Sequence, residues 1–198
     1  MAKLFNSIEY RQGLLELDLQ YIDLGVGSAA SLAHLLLAVK SLKRFTFISD
    51  ASSSCYVDLG ATIVASLQSN QNNCQLDSLV LYGLDLSAFE VGRSLSWFVG
   101  RQQRLKVLRV QECNLQGKAL FALLSSIRKS RSIQSIEKLM ISLNAMDTQE
   151  SIVTLCGLVK EASQLRSLCT FFTGVIIQWP GSVCNNSNTF AFDGVEAE

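Results

Sequence analysis

The sequence predicts an α/β repeat protein: a right-handed solenoid with about six parallel strands on its concave face and helices on its convex face. An apolar triplet of the form L-x-x-L-x-L returns six times, at Leu14/Leu17/Leu19, Leu42/Phe45/Phe47, Leu76/Leu79/Leu81, Leu105/Leu108/Val110, Ile136/Leu139/Ile141 and Leu165/Leu168/Thr170. The triplets start 28, 34, 29, 31 and 29 residues apart, and each leads toward a helix-like stretch. Seventeen of the eighteen positions are apolar in a chain that is 48% hydrophobic, so composition alone does not produce the pattern. A unit of that length is one strand plus one helix, which cannot bury its apolar face alone, so neighbouring units must stack. Parallel strands joined through helices take the right-handed crossover.

Taken in order, the chain opens inside a unit. Ala2–Ile8 loosely mimics the later helical run Ala119–Ile127, which leads to the expectation that the chain is a segment of a longer protein. The first full unit runs from Leu14 through a helical stretch with Leu32 and Leu36. The second inserts Asp50-Ala51-Ser52-Ser53-Ser54-Cys55-Tyr56 before Leu59, which explains the 34-residue spacing and reads as a protruding loop. The third, fourth and fifth keep the period. The sixth reaches Phe171 and Phe172, then meets Gly174, Trp179-Pro180-Gly181 and an Asn/Ser tract. Residues 1–173 are therefore assigned to the solenoid and 174–198 to an irregular C-terminal tail.

The fourth unit, L-K-V-L-R-V-Q-E-C-N-L-Q-G-K-A-L-F-A-L-L-S-S-I from Leu105 to Ile127, resembles the leucine-rich repeat family in its longer, ribonuclease-inhibitor-like form. Cys113 stands where that family places Cys or Asn, and Asn144 stands there in the fifth unit. The resemblance implies a horseshoe-shaped solenoid in which these side chains satisfy backbone groups at the turn. It also implies a protein-recognition role as scaffold, inhibitor or sensor. Ile22 and Leu84 occupy the same place in the first and third units, so those turns must be satisfied another way.

Composition narrows the function classes. Seventeen Lys/Arg balance seventeen Asp/Glu, so no net field attracts nucleic acid or a membrane surface. No apolar run approaches the roughly 20 residues that span a bilayer, and no charged-then-apolar leader opens the sequence. A cytoplasmic location is expected. The six cysteines form no C-x-x-C pair and no short metal-ligand spacing, so they read as buried thiols. His34 is the single histidine and lies in a helical run; nothing in the sequence pairs it for catalysis. No cofactor, metal ligand or catalytic residue is assigned.

A rival reading lies in residues 17–50. Strand-like Leu17–Asp23 leads into Gly25-Val26-Gly27-Ser28-Ala29-Ala30, a G-x-G-x-x-A segment, then a helix and the acidic Asp50. That order resembles the opening of a Rossmann-type methyltransferase or nucleotide-cofactor enzyme, with glycines beside the ligand and the acid on a ribose hydroxyl. The same residues also fit the repeat register, which explains more of the chain.

For an interaction module, the register names the contact residues. Side chains in a strand alternate faces, so residues flanking the buried pair of each triplet line the concave sheet. The preferred partner-binding residues are Asp18, Thr46, Val80, Tyr82, Arg109, Gln111 and Met140, with Tyr82, Arg109 and Met140 foremost because aromatics and Arg dominate hot spots and Met adapts. The expected partner is another protein, not nucleic acid or a membrane. A second surface is charge-based: residues 100–140 hold nine Lys/Arg against Glu112 and Glu137. Arg101, Arg104, Arg128, Lys129 and Arg131 fall near helix-to-strand connections, an edge suited to an acidic segment.

Overall fold

Among the described residues, six parallel strands and five helices alternate, and a seventh strand follows them. The computed structural model describes residues 1–3, 13–22, 24–49, 58–70, 75–144, 146, 148–172 and 175–178. The strands are β1 (Glu16–Gln20), β2 (Arg44–Ile48), β3 (Ser78–Tyr82), β4 (Val107–Gln111), β5 (Lys138–Met140), β6 (Ser167–Phe172) and β7 (Val175–Gln178). Between them lie α1 (Val26–Ala38), α2 (Leu59–Ser69), α3 (Phe89–Arg101), α4 (Gly117–Lys129) and α5 (Gln149–Glu161), with a short 3₁₀ turn at Arg131–Gln134. The sheet order is β1-β2-β3-β4-β5-β6-β7, so each strand lies beside its successor and β1 stands at an edge. The loop expected at residues 50–56 lies outside the described residues.

The triplets set the register. Leu17 pairs with Phe45, Phe45 with Leu79, Leu79 with Leu108, Leu108 with Leu139 and Leu139 with Leu168. These residues and their i+2 neighbours Leu19, Phe47, Leu81, Val110, Ile141 and Thr170 are buried, whereas the intervening side chains are exposed or half-buried. Among the described residues, one face of the sheet is thus packed and the other left open. Phe45 and Phe47 are completely enclosed, each stabilising the packed face by about 2–3 kcal/mol.

Helices cover the packed face because each carries an apolar stripe: Leu32, Leu35 and Leu36 in α1, Leu95, Phe98 and Val99 in α3, Leu120, Leu123, Leu124 and Ile127 in α4. Each helix packs on the next. The α3–α4 approach is close enough that a Cβ at Gly92 would stand 2.5 Å from the Ala119 Cβ, so only glycine fits there. Thr148 caps α5, accepting from the Ser151 N–H at 3.2 Å, and the Ser151 hydroxyl reaches the Gly117 carbonyl at 3.3 Å, tying α5 to the start of α4.

The chain turns back at its far end. β7 runs antiparallel to β6, with Phe172 opposite Val175. A strand therefore occupies part of the stretch that the sequence assigns to an irregular tail; residues 179–198 lie outside the described residues.

Candidate functional site

The open face of the sheet gathers the sequence-predicted contact residues. Register aligns Asp18, Thr46, Val80, Arg109 and Met140 in one transverse row, continued by Cys169. Gln20, Ile48, Tyr82 and Gln111 form the row beside it. All seven predicted residues therefore fall on two adjacent rows. Asp18 is exposed; the other six are half-buried, as expected of side chains standing upright between neighbours.

Its centre is a polar cluster on β3 and β4. The Arg109 guanidinium lies over the Tyr82 ring, 5.1 Å from its centroid, and its Nε donates to the Gln111 side-chain oxygen. Tyr82 donates its hydroxyl to the Glu112 carboxylate. This bond, together with partial burial and the Glu112 charge, holds the phenol neutral and pushes its pKa up to about 12. Glu112 reaches that place because the chain turns there through the left-handed region, at φ 51°. The register predicts Tyr82, Arg109 and Gln111 but misses Glu112, whose position depends on the turn; its only sequence signal is adjacency to β4.

Charge varies across the face. At the β1 end, Glu16 forms an ion pair with Arg44 on β2, which lowers the carboxyl's pKa through the guanidinium hydrogen bond and charge. Asp18 accepts from the Gln20 amide at 2.8 and 3.0 Å and remains the exposed acid there. Lys138 on β5 supplies the opposite sign.

The turns at the carboxyl ends of the strands hold the face in place. Asn144 Nδ2 donates to the carbonyls of Val110 at 2.8 Å and Ile141 at 3.0 Å, while its Oδ1 accepts from the Leu115 N–H at 3.1 Å. The Cys113 thiol sits 3.5 Å from the Leu81 carbonyl and 3.2 Å from that of Gln111. Both residues do at the turn what their types imply. No family model matches this chain, and no curated protein matches it either.

Gly25 and Gly27, the glycines of the rival motif, lie at the start of α1, and a Cβ at either would meet no atom within 4 Å. Asp50 lies outside the described residues. His34 is exposed. Among the described residues, no three His, Cys, Asp or Glu side chains converge as a metal-binding group, and no helix is long and apolar enough to cross a membrane.

Proposed function

We propose that this protein is a leucine-rich-repeat solenoid of the ribonuclease-inhibitor-like kind, curved as a horseshoe, that recognises a protein partner through its open, concave sheet face and performs no chemistry of its own. The observation that carries this is the pair of aligned rows across the uncovered face, with Tyr82, Arg109, Gln111 and Met140 at their centre. Bonds from Gln111 and Glu112 hold Arg109 and Tyr82 in fixed orientations. Such a cluster can receive a partner at low ordering cost. A cytoplasmic setting belongs to the same proposal and is supported by Cys113 serving as a buried turn residue.

A nucleotide-cofactor or methyltransferase enzyme is the second reading, favoured by the open space around Gly25 and Gly27. Against it, a Rossmann crevice forms where strand order reverses beside the first strand, whereas here β1 stands at the sheet edge and the order never reverses among the described strands. Calorimetry with S-adenosylmethionine and NAD separates the two: micromolar binding lost on Asp50→Ala would establish the enzyme.

The recognition proposal is tested with a Tyr82→Ala/Arg109→Ala/Met140→Ala variant in parallel pull-downs. A partner retained by the native chain should fall at least tenfold with the variant while the melting temperature changes little. Equal recovery would reject the open face as the binding surface.

A further inference from the structure

A second surface lies away from the open face, where the helices end and the chain enters the strands. Arg101, Lys129 and Arg131, with Gln75, Gly100, Gln102, Gln103 and Ser130, surround an open depression of ≈ 500 Å³. Among the described residues, no acidic side chain lines it. Arg104 lies near this edge in sequence but does not line the depression, and Arg128 is engaged one step further on.

That next step shows what the depression lacks. At α4–α5, the penultimate residue of one helix, Arg128, forms an ion pair with the last residue of the next, Glu161, donating from Nε and Nη2 to the same carboxylate oxygen. Each partner shifts the other, lowering the Glu161 pKa through the hydrogen bond and charge. At α3–α4 the same two helix positions hold Gly100 and Lys129. Gly100 packs closely on α4, where a Cβ would stand 3.3 Å from the Ser126 Cβ, and offers no side chain for pairing, while the lysine puts a cation where its counterpart is a carboxylate. Arg101 and Arg131 add two more cations, and no ion pair to a carboxylate engages any of the three among the described residues.

Helix-end cations have an ordinary role, since Lys or Arg in a last turn offsets the helix dipole. That accounts for Arg101 and Lys129 singly, but not for Arg131, which follows α4. Arg101 is moreover held in orientation by stacking on Trp97, 4.2 Å from the ring centroid. A guanidinium fixed in this way presents its planar fork to a carboxylate at small entropic cost.

We propose that this edge binds the carboxylate side chains of an acidic protein segment, which fill at α3–α4 the role that Glu161 fills internally at α4–α5. The site stands on its own geometry and does not require the open face to bind anything.

The test uses hexaglutamate as probe, titrated into the full chain at about 50 mM salt and followed by NMR chemical shifts or calorimetry. Binding should weaken at least tenfold in Lys129→Glu, which supplies the carboxylate internally. It should persist in Lys118→Glu, which changes net charge equally at the other end of α4. Raising salt to about 500 mM should abolish binding, because exposed charges are screened over a few ångströms there. Equal weakening by the two variants would overturn the proposal by revealing only diffuse attraction. So would the absence of hexaglutamate binding, including the case in which inorganic phosphate binds in its place. The Tyr82→Ala/Arg109→Ala/Met140→Ala variant should bind hexaglutamate normally, so failure at this edge and failure at the open face are read separately.

Discussion

Two turns of this protein do the same job with different chemistry. After β4, Cys113 is directed at the Leu81 carbonyl of the preceding unit; after β5, Asn144 is directed at the Val110 carbonyl. Leu81 and Val110 are register partners, so the two side chains serve equivalent groups. The amide, however, has two hydrogens and an acceptor oxygen. It therefore also binds the Ile141 carbonyl and receives the Leu115 N–H. The thiol has one weakly polar hydrogen and no comparable acceptor. At the earlier turn the Cys113 backbone carbonyl takes the inter-unit N–H, from Leu86 at 2.9 Å. One place in the repeat thus tolerates a strong and a weak polar side chain provided the backbone supplies the remainder.

Removing the stronger device should have the larger effect. Asn144→Ala strands two buried carbonyls and one N–H, at about 1–3 kcal/mol each before relaxation. A loss of about 3–5 kcal/mol, or roughly 10 °C in melting temperature for a domain of this size, is expected in urea or thermal unfolding. A loss below about 1 kcal/mol would mean that water replaces the amide and that the two turns are equivalent after all.

The backbone beside these residues gives a second contrast. Tyr21, Gly83, Glu112 and Leu143 all stand one residue before the Cys/Asn position, and all take positive φ, at 54°, 70°, 51° and 59°. Glycine adopts this region freely, whereas an L side chain is strained there. Leu143 is 40% exposed, so its burial offsets the strain only in part. Leu143→Gly should therefore stabilise the fold by about 1 kcal/mol, measured by urea unfolding. Glu112→Gly should gain less, because it also removes the acceptor of the Tyr82 hydroxyl. A destabilised Leu143→Gly would show that its side chain has a packing role the conformation conceals.

How much of this was legible in the sequence follows from the range of each interaction. The triplets predict the six parallel strands and their pairing, because burial of alternate residues specifies register wherever one face is covered. They likewise predict which residues share the open face. The Tyr82–Glu112 bond was not legible, because it depends on a left-handed turn at a glutamate, and nothing in the residue type announces that. The depression was half legible: Arg101, Lys129 and Arg131 read as a basic edge, but the part played by Gly100 emerges only when α3 and α4 are aligned. The antiparallel β7 was hidden because a four-residue run after Gly174 departs from the repeat period on which the other strands were recognised.

The smallest expected effect concerns the weaker turn. Burial is the main cause that pushes the Cys113 thiol from its ordinary 9 up to about 12, with Glu112 adding to the rise and nearby backbone N–H groups opposing it. The folded state therefore keeps its proton after the unfolded chain has released it. Between pH 9 and about 12 the unfolded state binds fewer protons, so stability falls as pH rises. Tyr82, raised from 10 to about 12, adds a slope of the same sign at higher pH. Cys113→Ala should cost about 1 kcal/mol at pH 7 and flatten the decline between pH 9 and 10, where the thiol titrates ahead of the phenol. Unfolding midpoints in urea at pH 7, 9 and 10 read both effects. Iodoacetamide gives an independent check: the exposed Cys156 should react in the native protein at pH 8 while Cys113 stays protected until unfolding. An unchanged alkaline decline in Cys113→Ala, or labelling of Cys113 as fast as Cys156, would mean that the turn opens readily and that the thiol, unlike Asn144, does not secure it.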